Sequence, residues 1–242
     1  MAKTPAEYIS RDIPVPREYK KGFVDFLGCK IDLSKRPFIP RIETEYWVKR
    51  AIKEIKNSKL KVKNLEILDI FAGSGCIGIA ILKNIKNSFV DFVDNDKKAI
   101  SQIKINLKLN KISSKKYKIY RSNLFEKLKE KRPALHRMVQ GYDFIFANPP
   151  YVAEERLKEV QNSVLKYEPK TTFLAGKKGL HYIKKFLKEA KKFLKKRGIA
   201  YLEFDPLQKT EVKNILEKEG YKDFRFFKDQ FKKYRWLRII QN

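Results

Sequence analysis

The stretch Leu65-Glu-Ile-Leu-Asp-Ile-Phe-Ala-Gly73-Ser-Gly75-Cys-Ile-Gly78 decides the fold of this 242-residue chain. Leu65–Phe71, apolar except at Glu66 and Asp69, reads as a strand. Gly73 and Gly75 permit a tight turn and let a ligand approach the backbone closely. Cys76–Ile85 then continues as a helix. Strand, glycine turn and helix in succession open a βαβ unit.

Working outward, the alternation persists. Phe89–Val93 reads as a strand, Lys97–Leu109 as a helix and Tyr117–Tyr120 as a strand. A Pro-broken helical stretch leads to the strand Tyr142–Ala147. Gly179–Lys196 reads as a helix, Ile199–Phe204 as a strand and Thr210–Lys218 as a helix, before a closing antiparallel pair, Tyr221–Phe227 and Tyr234–Ile240. Upstream, Glu43–Lys56 is helical, with Tyr46, Trp47, Ala51, Ile52 and Ile55 on its inward face. Phe23–Phe26, Leu27-Gly28 and the alternation from Cys29 to Ser34 form a β-hairpin ended by Pro37 and Pro40. Residues 1–20 show no clear period. The fold class is therefore α/β, Rossmann-like, with a mostly parallel seven-stranded sheet, an antiparallel C-terminal pair and a short N-terminal hairpin. Two regions are expected: an arm and hairpin over residues 1–42, and a catalytic domain over 43–242.

Composition bounds the function. No apolar run approaches the roughly 18 residues of a membrane span, and the start lacks a signal-peptide core. Cys29, Cys76, His136 and His181 share no metal-ligand spacing, so no metal site and no disulfide are expected. A cytoplasmic monomer with no membrane partner is the expectation. The formal net charge of +28 fits a polyanionic neighbour, either the ribosome or nonspecific nucleic acid. A lysine-rich compositional drift fits it better, given the abundance of Lys, Ile and Asn. The densest basic stretch, Lys177–Arg197, also carries Tyr182, Ile183, Phe186 and Leu187 at helical spacing, as a core-facing helix with a solvated face would.

Two loops carry the chemistry. Asp94 ends the second strand, 19 residues after Gly75, where a carboxylate can accept from ribose hydroxyls. No Gly-Lys-Ser/Thr follows the glycines, which excludes a P-loop. Asp69 beside them disfavours a pyrophosphate and suits the cationic methionine end of S-adenosylmethionine. Asn148-Pro149-Pro150-Tyr151 follows the strand that should lie beside the first, at the switch point where ligands bind. A planar amide or aniline-like nitrogen is a poor nucleophile, so a site must take both N–H hydrogens into acceptors. The Asn148 side-chain oxygen and the Pro149 carbonyl can supply them, on a backbone stiffened by two prolines. Tyr151 can stack on the flat group.

With these residues in view, the chain resembles the HemK/PrmC family, the protein-(glutamine-N5) methyltransferases that act on the Gly-Gly-Gln motif of peptide chain release factors. The likeness runs from about Phe23 to the C-terminus. It includes Pro40-Arg41-Ile-Glu43-Thr44-Glu45, the Asp69–Gly78 loop, Asp94, Asn106, Asn148-Pro-Pro-Tyr151, Tyr167-Glu168-Pro169-Lys170, Gly179-Leu180, Glu203 and Gln208. The resemblance implies a class I methyltransferase fold, with S-adenosylmethionine as donor and S-adenosylhomocysteine as product. It assigns cofactor contacts to Asp69, Phe71, Ala72, Gly73, Gly75, Asp94, Asn123 and Asn148. Asn148, Pro149 and Tyr151 would be catalytic, and with Pro150, Glu168 and Pro169 would hold the substrate. Asn123 stands where the family usually has Asp near the adenine. The family's helical N-terminal domain is expected to be largely absent, since about 20 residues precede the hairpin. Asn-Pro-Pro-Tyr is shared with adenine-N6 methyltransferases of DNA or RNA, which form the alternative reading. A non-catalytic binding module is the third.

Overall fold

In the computed structural model, which describes residues 13–58, 64–131 and 141–242, the Leu65 run is an interior strand, third in the order of the seven-stranded sheet. The elements in order are α1 (Arg17–Lys21), β1 (Phe23–Phe26), β2 (Cys29–Asp32), α2 (Ile42–Asn57), β3 (Leu65–Ile70), α3 (Cys76–Asn84), β4 (Ser88–Asp94), α4 (Lys97–Leu109), β5 (Tyr117–Arg121), α5 (Glu126–Lys131) and β6 (Tyr142–Ala147). There follow α6 (Asn162–Tyr167), α7 (His181–Ala190), β7 (Leu194–Glu203), α8 (Lys209–Lys218), β8 (Asp223–Lys228) and β9 (Tyr234–Ile240). The seven-stranded sheet has the order β5-β4-β3-β6-β7-β9-β8. The pairs from β5 to β7 are parallel, and β9 lies antiparallel between β7 and β8.

Period-two alternation divides each central strand between two cores. From β3, Leu65 and Ile67 pack with α2, α3, α4 and the hairpin, while Leu68 and Ile70 face α5, α7 and α8. Hairpin residues Phe26, Cys29, Ile31 and Leu33 belong to the first of these cores, so β1 and β2 close over the same layer as α3 and α4. Ring stacking of Trp47 on Phe146 and Tyr201 fixes α2 against the sheet.

The hairpin is held by an unusual device. Gln102 and Asn106 on α4 and Asn110 at its C-cap, spaced four apart, present their amides to the free backbone edge of β2 and the residues just after it. Asn110 Oδ1 accepts from Lys30 N (3.2 Å) and its Nδ2 donates to Lys30 O (2.8 Å). Asn106 repeats the pattern at Asp32, at 2.8 and 3.3 Å, and also donates to Ser74 O at 2.9 Å. Gln102 accepts from Lys35 N at 2.9 Å. Side-chain amides thus satisfy an edge that a third strand would otherwise pair.

Three local readings need correction. The helix expected to reach Lys196 stops at Ala190, and Leu194–Lys196 already belong to β7. Phe193 and Leu194 keep helical spacing, but Tyr142 N donates to Phe193 O at 2.7 Å and draws the chain into the sheet. Gly141 permits that approach, since a Cβ there would lie 2.6 Å from the Leu194 backbone. The lead before the hairpin contains the short α1. Tyr46 is only half-buried, while its neighbour Val48 takes an inward place on α2. The proline that breaks the stretch before β6, and His136, fall outside the described residues.

Candidate active site

Strand register assembles the site. Ile70 pairs with Val93 on one side and Ala147 on the other, and Ala147 pairs in turn with Leu202. The residues one step beyond, Phe71, Asp94, Asn148 and Glu203, therefore emerge together at the C-terminal edge of the sheet, where open α/β folds bind ligands. A cavity of about 920 Å³ opens there. Its lining includes Phe71, Ala72, Gly73, Asp94, Asn123, Asn148, Pro149, Pro150, Tyr151 and Pro169.

At the glycine loop, Gly73 N donates to Asp94 Oδ2 (2.8 Å) and Asp96 N to Asp94 Oδ1 (2.9 Å). Each carboxylate oxygen keeps a lone pair for a further donor. A Cβ on Gly73 would meet nothing nearer than the Phe71 carbonyl at 4.0 Å, so its absence leaves an open cradle beside the cavity. Phe71 itself sits in the left-handed region, φ 62°, with its ring edge-on to Tyr182. Gly75 caps α3 at φ 78° and packs beneath the loop against Ile103. At the far end, Asn123 Nδ2 donates to Glu126 at 2.8 Å, which turns its Oδ1 into the available acceptor.

Asp69 and Glu168 do not reach the cavity. Asp69 is fully buried behind the loop, where its Oδ2 accepts from Gly78 N at 2.9 Å and its Oδ1 has no partner. Burial, reinforced by Asp94, raises its pKa to about 8, so at neutral pH it is mostly a neutral acid and no counter-charge for a cation. Glu168 is buried and ion-paired to Arg41, and it accepts from Ile39 N at 3.3 Å. It clamps the Pro-Arg-x-Glu-Thr-Glu segment to the Tyr-Glu-Pro-Lys segment, leaving Pro169 to line the wall. Arg41 lies over the Phe38 ring, 4.4 Å from its centroid, and both line the outer cavity.

Three residues that spacing alone did not single out as functional lie behind the Asn-Pro-Pro-Tyr turn. Glu203, buried at the end of β7, accepts at Oε2 from Thr44 Oγ1 (2.7 Å) and Trp47 Nε1 (2.6 Å), and at Oε1 from Tyr151 OH (3.0 Å). Asn148 Nδ2 donates to Thr44 Oγ1 at 3.2 Å. Burial first, and the adjacent Glu203 second, push the Tyr151 phenol far above its ordinary range; it is a fixed donor with no role as a base. Gln208 Nε2 donates to Tyr151 O (2.9 Å) and Lys178 O (2.8 Å), holding the turn from below. Gly179 is required beside it: a Cβ would fall 2.0 Å from Tyr151 O, at φ +66°. The Pro149 carbonyl and Asn148 Oδ1 accept no hydrogen bond among the described residues. Two acceptors on a braced turn thus face a cavity rimmed by Lys35, Arg36, Lys97, Lys98, Arg121 and Lys185. Among the described residues, no helix is long and apolar enough to cross a membrane.

The arrangement has relatives. A family model described as Conserved hypothetical protein 95 matches residues 44–173. The N-terminal domain of human METTL16, solved in complex with SAH, shares the fold with a TM-score of 0.61 at 18% identity, over 89% of this chain and 76% of that one. The release factor glutamine methyltransferase of Clostridium botulinum is 31% identical over 215 residues, 89% of this chain and 72% of its own. That of Flavobacterium psychrophilum is 32% identical over 226 residues, 93% of this chain and 75% of its own. At that identity and coverage the chain belongs to the release factor glutamine methyltransferase family.

Proposed function

We propose that the protein transfers a methyl group from S-adenosylmethionine to the side-chain amide nitrogen of the glutamine in a release factor's Gly-Gly-Gln motif. The observation that carries this reading is the pair of acceptors, Asn148 Oδ1 and Pro149 O, that receive no hydrogen bond among the described residues and sit on a stiff turn beside the glycine loop. An amide nitrogen has two hydrogens to place and no basic lone pair, and this pair of acceptors matches it. No strong base is needed, because the proton can leave after transfer.

The cofactor half of the cavity fits the donor. Gly73 leaves a cradle for the methionine portion beside Phe71 and Ala72, Asp94 retains lone pairs for ribose hydroxyls, and Asn123 offers its oxygen near the adenine end. When bound, the sulfonium supplies the electrophilic methyl. Asn148 and Pro149 hold the amide with its nitrogen toward the donor, Tyr151 presents a ring whose hydroxyl is tied back to Glu203, and Pro150 and Pro169 close the substrate side. Closing the site against water makes each of these polar contacts count for more.

The reading is tested with labelled methyl donor, a purified release factor and, in parallel, adenine-containing oligonucleotides. Label in the release factor alone is the expected result. Label entering adenine at a comparable rate would transfer the assignment to nucleic-acid N6 chemistry, which the same four-residue turn can serve.

A further inference from the structure

A side-chain amide is only as useful as its orientation. Rotated half a turn, Asn148 would offer an NH2 to the substrate's NH2, donor against donor. Nothing in the Asn-Pro-Pro-Tyr turn itself decides between the two orientations; the decision comes from another part of the chain. Glu203 Oε2 already receives the Trp47 N–H, a group that can only donate, and sits 2.7 Å from Thr44 Oγ1. With three donors around it and Arg235 nearby, the Glu203 carboxylate has acceptor capacity to fill, although burial, the largest influence, opposes its charge. Thr44 therefore spends its single hydroxyl proton on Glu203. Its oxygen can then only accept, and the donor it faces, at 3.2 Å, is Asn148 Nδ2.

We propose that Thr44 is a positioning residue: the relay Glu203–Thr44–Asn148 locks the Asn148 amide with Oδ1 toward the cavity, and so sets which hydrogen-bonding group the substrate nitrogen meets. The relay spans three elements. Thr44 sits in the first turn of α2, Glu203 ends β7 and Asn148 follows β6. Thr44 is buried, 2% exposed, and its one hydroxyl is fully engaged. Thr44 also lines the cavity, but with its hydroxyl engaged it acts through Asn148. This inference rests on the reading that Asn148 receives the substrate amide.

The test compares wild type with Thr44→Val, which keeps the shape and loses the hydroxyl, and Thr44→Ser, which keeps the hydroxyl. Methyl transfer to the release factor gives kcat and KM, calorimetry gives cofactor affinity, and thermal unfolding reports the fold. Separately, the Asn148 side-chain NH2 signal of 15N-labelled protein, identified by its loss in Asn148→Asp, gives hydrogen-exchange protection without any substrate. Thr44→Val should lower kcat by about 10–100-fold, the scale of disturbing a group that orients a catalytic one. KM and cofactor affinity should stay level, the NH2 should lose protection, and Thr44→Ser should restore both rate and protection. A level kcat in Thr44→Val, or a Thr44→Ser as slow as Thr44→Val, overturns the proposal. If Thr44→Val does not fold, Thr44→Ala carries the same expectations. If the wild type methylates no release factor, the substrate reading fails, while the NH2 protection still decides the relay.

Discussion

Asp69, inside β3, and Asp94, at the end of β4, hold the glycine loop from different strands and do opposite work. Asp69 holds the loop from inside: its carboxyl accepts from Gly78 N, and burial raises its pKa to about 8. The folded state thus keeps a proton that the unfolded chain gives up near pH 4. Its contribution is full below that ordinary pKa and is lost as pH rises toward about 8. Stability should therefore decline between pH 4 and pH 8, by at most ~1.4 kcal/mol per pH unit for one proton. Asp69→Asn, which mimics the neutral acid, should flatten that decline; urea unfolding across the range measures it, and an unchanged slope would assign the proton elsewhere. Asp94 lines the cavity. Asp94→Ala should weaken S-adenosylmethionine by about 1.5–3 kcal/mol, as ribose hydroxyls lose a charged acceptor and Gly73 loses its tether. Calorimetric titration reads this directly, with unaltered affinity moving the ribose contact to another group. The acidic pair also marks a limit of reading by sequence. Both stand out beside the glycines, yet only depth separates the neutral, buried one from the cavity-facing one, and depth is not written in spacing.

At the scale of elements, the β2–α4 junction is the least conventional part of the molecule. Asn106 reaches both the hairpin and the glycine loop, at Asp32 and Ser74. Asn106→Leu would remove three hydrogen bonds and strand buried backbone groups, a loss of ~2–4 kcal/mol. Hydrogen exchange should show the damage concentrated at Lys30, Asp32 and the Ser74 turn, with the β6–β7 pairing untouched; uniform loss across the sheet would contradict a local clamp. The strands and most long helices were legible because continuous apolar runs and 3.6-residue periods announce them. The beginning of β7 was not: Leu194 obeys the helical period of α7, and a long-range bond from Tyr142 wins over it. The segment between Tyr151 and Leu180 was also silent. It is built from α6, short 3-10 turns and one bridge, Val152 to Leu174, packed as a small cluster around Leu157, Leu165 and Phe173. Likewise Asn148 and Tyr151 were readable as a motif, whereas Thr44, Glu203 and Gln208 act across gaps of up to 159 residues that only folding closes.

For the molecule as a whole, one sheet edge gathers both halves of a methyl-transfer site, and a basic surface surrounds it. A net charge of +28 should give measurable RNA binding that is independent of sequence. Its affinity should fall by roughly 0.7 log units per log unit of salt for each single-strand phosphate neutralised. Filter binding over a salt series checks this, and strong preference for one sequence at constant salt would contradict it. Phosphate contacts position a partner but do not select a reacting atom, so transfer into RNA is not expected. In the proposed reaction Asn148 has one role: it serves the accepting amide and leaves the donor alone. Its most direct test is methyl transfer to a purified release factor by wild type and Asn148→Ala, with the modified atom located by mass spectrometry and cofactor affinity titrated in parallel. The expected results are methyl on the glutamine side-chain nitrogen, transfer in the variant slower by about 10²–10³, and equal affinity for S-adenosylmethionine. Equal turnover in the two proteins, or a variant whose whole defect is lost cofactor affinity, would contradict it.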